Sequence, residues 1–487
     1  MPISKLLEGK NPSQQVTALK TRRNCPPAPD VADLMNKYNT SGHSINDRSK
    51  RPDKAIKEER DVPFGIDKNG LKTRKKEKVI VRFEEVNRTP LPFQKKIVRE
   101  AVDFMFSIPV EETTESEDEK ELAVLKAIKK INRDNKIDTL NKDLGEETLA
   151  YKETAEYWYP VDREEPNDDY GFTTKKRLRV VQWSPSKGDS LYPIFDEYGD
   201  LIAISREYSA VGEDGKGRLF LDTYTAKYFL HYEQSREGWE APIVTPNPIG
   251  KIPVVYYSKK EVEYEDVQEM IERLEKLLSN LGETNDYHSS PKIFVTGKIL
   301  GWAKKAEAGA VIEGEKESKA QYLSWDHAPE SSKLEYEILI KLIHSLSQTP
   351  DISFESLKGI AGDISGVALK LLFMDAHLKA NNNADVFKTG FDRRVSIQKS
   401  YISMMNEGLR QPARKLEVNH KFTIFMISND KENAEIMVTA NGGKAIISQK
   451  GSVKKAAIVK DPEADWEQIE KEADADATRG NIVDAIL

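Results

Sequence analysis

Two apolar-striped segments with a small unit strung between them constrain this chain more than any other feature. The first, "EVEYEDVQEMIERLEKLLSNLGETNDYH", covers 261–288. Val267, Ile271, Leu274, Leu278 and Leu281 recur there every three to four residues, which is the period of a helix with one packed face. Glu265, Glu269 and Glu272 fall on another face. The second segment, "SSKLEYEILIKLIHSLSQTP", sets Leu334, Ile338, Leu342 and Leu346 four apart and stops at Pro350. Between them, "PKIFVTGKILGWAKKAEAGAVIEGEKESKAQYLSW" reads as strand, short helix, strand, strand. The chain must therefore leave its body along one helix, build a small α/β tip, and return along another. A tip of about 40 residues is too small to hold a core of its own and calls for neighbours.

The stretch after the second helix is equally unusual. "DISFESLKGIAGDISGVALKLLFMDAHLKA" puts Gly359 and Gly362 among Phe354, Leu357, Ile360 and Ile364, then enters a helix that we expect to reach about Leu409. A glycine-rich loop opening a helix suggests phosphate. A P-loop, however, needs Gly-Lys followed by Ser or Thr. Here Gly366 is followed by Val367, Ala368 and Leu369 before Lys370. The Gly-Lys pairs at Gly250, Gly297 and Gly443 lead to Ile252, Ile299 and Ala445. P-loop nucleotide hydrolysis is not expected.

The rest of the chain supplies the body. Residues 1–75 are polar, with basic patches in "NDRSKRPDKAIKEERD" and "LKTRKKEK", and read as short helices and solvated linker. "EKVIVRFEEVNRT" alternates like a strand. "PFQKKIVREAVDFMFSIPVE" is a helix with Ile97, Val98, Ala101, Val102 and Met105 as its stripe. "EETTESEDEK" is an acidic loop, without the glycine turn and regular spacing of a calcium loop. Helices are expected to about Tyr159. From about 150 to 258 the aromatic and β-branched runs predict an antiparallel meander, with Gly199 of "DEYGD" at a hairpin. "KLEVNHKFTIFMISND" reads as one more strand. "DPEADWEQIEKEA" reads as a helix capped by Asp461 with Pro462 first inside it. The fold class is α+β.

No reaction can be assigned. The seven histidines are scattered, and no pair has helical metal spacing. There is no G-x-S-x-G elbow. Cys25, the one cysteine, sits in "RRNCPPAP", excludes an internal disulfide and fits a reducing compartment. Asp474 and Asp476 read as a solvated helix face. A net charge of -7 argues against a protein that wraps DNA, though not against a surface past which DNA slides. No run of about 18 apolar residues predicts a membrane span. The opening "MPISKLLEGKNPSQQ" lacks the apolar core of a signal peptide, so export by that route is not expected. The expectation is a protein that is not an enzyme and holds no cofactor or metal.

Five stretches in order carry a resemblance. These are "KKIVREAVDFMFSIPVE", "LYPIFDEYGDLIAISREY", "NPIGKIPVVYYS", "DISGVALKLLFMDAHLKA" and "IVKDPEADWEQIEKEA". Around a helix–tip–helix insertion, this order resembles the portal proteins of tailed bacteriophages, of the type found in siphophages of Gram-positive hosts. The resemblance covers roughly residues 80–475. Phe106-Ser107 stands where many members carry a glycine.

The resemblance implies an α+β portal fold of wing, helical stem, small α/β clip and helical crown, assembled as a ring around an axial channel. It divides the chain into an N-terminal extension, expected to be flexible (1–29), a wing (30–258) and a first stem helix (259–289). Then come a clip (290–329), a second stem helix (330–349), a tunnel loop (350–364), a long helix and return strand to the wing (365–430), and a crown (431–487). The tunnel loop would place Phe354, Leu357, Lys358, Gly359, Ile360, Gly362 and Asp363 at the narrowest part of the channel. Phe354, Leu357 and Ile360 would pack between subunits, and Lys358 or Asp363 would face DNA. Glu265, Glu269 and Glu272 are candidates for the stem's channel wall. Trp302, Tyr322 and Trp325 are candidates for clip contacts, between subunits in the first instance. Implied partners are copies of the same chain, usually twelve, and double-stranded DNA held without sequence preference. The terminase motor, a head–tail adaptor, and the major capsid and scaffold proteins complete the set. The place implied is a capsid vertex, reached by assembly in the host cytoplasm. The rival reading is a scaffold or minor head protein without a channel.

Overall fold

The computed structural model describes residues 3–66, 72–211, 215–288, 292–296, 299–301, 313–314, 319–323, 328–351, 371–424, 430–442, 446–456 and 462–486. The chain forms two compact units. One joins Met1–Thr349 to Asn382–Thr423; the other joins Pro350–Asn381 to Ile424–Leu487.

The first unit opens with helices α1 (Ile3–Leu7), α2 (Pro12–Leu19) and α3 (Val31–Tyr38). The stretch expected to be a flexible extension is thus docked. Asn11 and Gln14 form a reciprocal capping box on α2. Val16 and Leu19 are buried against Ile194, Ala203, Leu221, Leu230 and Tyr232. Arg22 then seals the junction, donating two hydrogen bonds to Glu153 (3.1 and 2.7 Å) and one to Tyr256 Oη (3.0 Å).

Strands β1 (Lys54–Ile66) and β2 (Lys72–Glu84) come next and pair antiparallel. β1 corrects the reading of this region as solvated linker. Its charged residues alternate without an apolar face, so no period-2 contrast marks it as a strand. Helices α4 (Phe93–Phe106), α5 (Glu119–Asp134) and α6 (Ile137–Tyr151) follow, with β3 (Glu111–Thr113) between α4 and α5. The predicted stripe of α4 is buried throughout. The acidic stretch is part strand and part loop, and Asp118 caps α5 by accepting from the backbone N–H groups of Lys120 and Glu121. Helix ends at Tyr151 rather than near Tyr159, because "TAEYWYPV" belongs to β4.

Two sheets stack in the body. β4 (Glu153–Asn167), β5 (Thr174–Trp183) and the later β12 (Val254–Ser258) pair in the order β12-β4-β5. β6 (Ser190–Phe195), β7 (Leu201–Val211), β8 (Gly217–Thr225) and β9 (Tyr228–Ser235) form the expected meander, extended by β10 (Gly238–Trp239) and β11 (Ile243–Pro246) on β9. Gly199 turns the β6–β7 hairpin at φ +87°. The pleat sends successive residues to opposite layers. Ala203 packs toward α2, whereas Ile204 packs with Trp183, Tyr224 and Val254 of the layer beneath.

The two helices that flank the insertion are α7 (Gln268–His288) and α8 (Ala328–Leu346). Between them, β13 (Lys292–Thr296) pairs β16 (Lys319–Leu323), and β14 (Ile299–Gly301) pairs β15 (Glu313–Gly314). The expected tip strands are present; the short helix expected among them lies outside the described residues. α9 (Met374–Met405) is the long helix and ends four residues before the expected Leu409, where a 3-10 turn (Glu407–Leu409) leads into α10 (Arg410–Lys415). The final strand is shorter than expected: β17 (Asn419–Lys421) pairs β3.

Within the first unit, residues 382–405 of α9 run against both helices and sheet. Phe387 meets Phe106 edge-on at 5.2 Å and stacks with Tyr257 at 5.6 Å. Gly390 lets the helix approach: a Cβ there would lie 2.1 Å from Tyr257 Cε1. In the second unit, α11 (Asp430–Asn441), α12 (Gln449–Ala456) and α13 (Pro462–Ile486) follow one another. Asn441 donates to Ser452 Oγ (2.9 Å), and Lys450 and Lys454 reach Glu463 at 3.0 and 3.3 Å. Pro462 does open the last helix.

Candidate functional site

The root of α7 is embedded. Val267, Ile271 and Leu274 are buried, as their spacing predicts. One turn further, the buried Glu275 accepts from the Leu91 backbone N–H (2.7 Å) and lies 2.5 Å from His43 Nδ1. Ser279 Oγ accepts from the Thr89 N–H (2.9 Å). Beyond this point the helix leaves the body, and Asn285, Asp286 and Tyr287 are exposed. Nothing in the sequence warns of Glu275. It stands in the apolar row, and its partners come from segments far away in the chain.

α8 lies alongside, and Arg273 joins the two helices by donating to Glu335 at 2.8 Å. That pair is partly exposed and contributes little. Ile343 is fully buried, but the predicted stripe is not. Leu334, Ile338, Leu342 and Leu346 are 59, 49, 40 and 50% exposed. Four large apolar side chains along one helix face stay open to water in the single chain.

The three acids expected on the channel wall do not share one environment. Glu265 lies in a 3-10 turn before α7, since the helix begins at Gln268 rather than at 261. The preceding Val262 and Tyr264 are buried, which fixes the chain before it can wind. Glu265 sits 3.7 Å from Lys152 Nζ. Glu272 is half-buried, accepts from Gln268 Nε2 (2.9 Å), and lines a polar cleft with Lys37, Lys50 and Asp33. The Lys37 ammonium is held above its ordinary pKa, mainly by its hydrogen bond to Asp33, with Glu265 and Glu272 adding to it. Glu269 is exposed.

Of the clip candidates, Tyr322 stands opposite Ile293 in the β13–β16 register. Trp302 and Trp325 lie outside the described residues, as do Phe354, Leu357, Lys358, Gly359, Ile360, Gly362 and Asp363 of the tunnel loop.

A buried ion pair fixes the long helix α9 to β4 and α6. Arg394 donates from Nε and Nη2 to Glu156 (2.9 and 2.8 Å) and from Nη1 to Asn141 Oδ1 (2.9 Å). Both charged side chains are buried. Burial works against the guanidinium's charge, but Glu156, Tyr257 and Glu112 outweigh it and raise its pKa. Gln398 donates to Asn132 Oδ1 (2.6 Å), and Tyr401 Oη donates to the Trp158 carbonyl (3.0 Å). The side chains of this network are buried, and they tie α9 to β4, α5 and α6. Among the described residues no group of three or more His, Cys, Asp or Glu is arranged to hold a metal. Among them, too, no helix is long and apolar enough to cross a membrane.

Comparison with known proteins places this architecture. Residues 71–479 match the family described as "Phage portal protein, SPP1 Gp6-like". No curated protein matches. Among solved structures, a chain from "Neck of empty GTA particle computed with C6 symmetry" aligns at 9% identity. The alignment covers 75% of this chain and 89% of that one, with a TM-score of 0.36. The family match takes in the meander, helices α7 and α8, the long helix and most of the C-terminal helices, far more than half of the chain. The protein belongs to the phage portal protein family.

Proposed function

We propose that copies of this chain close into a ring, of twelve subunits, at one vertex of a phage capsid, and that double-stranded DNA enters and leaves through the channel it encloses. The observation that carries the ring is the open stripe on α8. Fully burying a Leu or Ile stabilises by about 1.5–3 kcal/mol. Four half-exposed ones therefore offer several kcal/mol to a neighbour that covers them. A rotation that closes satisfies every such face at once.

In this reading α7 and α8 are the stem, and the strands between them are the clip. The clip receives the terminase motor during packaging and the head–tail adaptor afterwards. Trp302, Tyr322 and Trp325 serve clip packing between subunits. The loop at 350–364 narrows the channel. Phe354, Leu357 and Ile360 touch the next subunit, Gly359 and Gly362 act as hinges, and Lys358 or Asp363 meets DNA. Glu265, Glu269 and Glu272 supply negative wall that keeps the DNA backbone from sticking. The wing meets the major capsid and scaffold proteins. The protein carries no catalysis of its own; the motor supplies the work.

Light scattering on the purified full chain, with negative-stain imaging of the same fraction, tests the ring. The expected result is a particle of about twelve subunit masses with a central hole. A chain that stays monomeric at every concentration, alone and with capsid and scaffold proteins, overturns it and favours a scaffold or minor head protein.

A further inference from the structure

The β1–β2 ribbon is built to be held by something outside its own chain. Among the described residues its two strands pair with each other and with no third strand. An isolated two-stranded hairpin is marginal in water and needs a packed face. Among the described residues of the ribbon none on either face is buried. On one face stand Ala55 with Phe83, Lys57 with Ile80, Glu59 with Lys78, and Asp61 with Lys76. On the other stand Ile56 with Arg82, Glu58 with Val79, Arg60 with Glu77, and Val62 with Lys75. Ile80 is 46% and Phe83 67% exposed, so the face they share shows apolar surface to solvent.

The root of the ribbon, by contrast, is fixed. Arg51, just before β1, donates to the Asn87 carbonyl (3.0 Å) and, on α7, to Asn280 Oδ1 (2.9 Å) and Glu283 (2.8 Å). Arg88, just after β2, donates to Asp53 Oδ1 (2.7 Å) and to the Arg51 carbonyl (2.8 Å). Two arginines staple the strand ends to each other and to the stem helix. A rigid root with a bare blade describes an arm, not a loop.

Charge says what the arm meets. Residues 54–84 hold ten Lys and Arg against six Asp and Glu, a balance of +4. The whole chain stands at -7, so the remainder is at -11. One stretch of that remainder, 111–121 ("EETTESEDEKE"), holds seven acids and one lysine. Glu115, Glu117, Asp118 and Glu119 in it are exposed. We propose that in the ring the β1–β2 ribbon of one subunit lies across the neighbouring copy and is held there by its acidic 111–121 segment. Ile80 and Phe83, which share a face, are covered in the same contact. A basic patch and an acidic patch at different places on one chain make a head-to-tail contact, the kind that generates rings. This inference rests on the ring proposed above and adds the device that locks neighbours together outside the stem.

A charge swap in the full chain tests it. Lys57 and Arg82 each stand opposite an isoleucine, so Lys57→Glu with Arg82→Glu introduces no like-charge pair directly across the ribbon. Glu115→Lys with Glu117→Lys changes exposed loop residues. The assembled fraction of each is measured by light scattering beside the wild type, with circular dichroism to confirm folding. We expect either pair alone to cut ring formation about tenfold at moderate salt, and the four changes together to restore it. Wild-type rings should also loosen as salt rises. Rings from the Lys57→Glu, Arg82→Glu chain equal to wild type overturn the arm. A four-site chain no better than either pair overturns the acidic segment as its seat. Normal rings that fail to enter capsids assign the arm to a capsid or scaffold partner and overturn the proposal too. The wild-type control keeps the two claims apart: without wild-type rings it is the ring that fails, not the arm.

Discussion

At the scale of single residues, the Arg394–Glu156 pair decides whether the long helix seats on the sheet. Both ends are buried, and the guanidinium makes three hydrogen bonds to the carboxylate and one to Asn141. Removing one partner strands the other charge without water. Arg394→Met should therefore cost about 3–5 kcal/mol in urea unfolding, and adding Glu156→Gln should recover much of it. A loss of similar size in the double variant contradicts the stranded-charge explanation. Glu112 gives a second, opposite case. Burial raises its carboxyl pKa above the ordinary 4.5, against the pull of Arg394 and Lys129. The native state then keeps that proton to higher pH than the unfolded chain does. Stability from this group falls as pH rises from about 4.5 through the raised native value. Glu112→Gln keeps an oxygen for the Asn132 amide and removes the titration. Thermal melts should show the variant gaining on wild type from pH 4.5 to 7 and matching it below pH 4. None of these residues was legible beforehand. Arg394 and Glu156 are 238 positions apart, and nothing in "FDRRVS" or "TAEYWY" announces a partner.

At the scale of elements, what could be read was what repeats. α4, the meander from 190 to 235 and the stem pair all carry a clear period with turn residues between them. β1 carries none, because a ribbon without a core needs no apolar face. The end of α6 was misplaced for the opposite reason: "YWYPV" is apolar enough for either structure, and pairing with β5 and β12 decides it. The stripe on α8 is legible as a pattern, yet a pattern does not say what covers it. In the single chain Ile338 and Leu342 are exposed, so aspartate at both should leave the fold of the monomer alone. Circular dichroism of the Ile338→Asp, Leu342→Asp chain should match wild type, while light scattering shows loss of the ring. A variant that unfolds, or one that still assembles fully, places the stripe somewhere other than a subunit interface.

At the scale of the whole molecule, repetition around an axis multiplies the weight of one side chain. A single exposed carboxylate does little to DNA; in the ring proposed above, a girdle of such groups sets the local potential of the channel. The three stem acids were legible as a group in sequence, but their surroundings were not. Lys152 answers Glu265, and Lys37 and Lys50 stand around the cleft that Glu272 lines. Glu269 is exposed, and no ion pair to it is seen among the described residues. If the stem lines the channel as proposed, Glu269 carries most of the repulsion that lets DNA slide. Glu269→Lys should then slow packaging in a reconstituted motor assay and should do so more than Glu265→Gln or Glu272→Gln. The difference should widen as salt is lowered, because screening at about 0.15 M already reaches within about 8 Å. Lysines in the girdle would hold phosphates at each step and release counterions in doing so, giving a salt slope that the wild type lacks. Packaging by Glu269→Lys at the wild-type rate, at low as well as high salt, would put this face of α7 outside the channel. In that case the path of DNA would have to be sought along the other side of the stem.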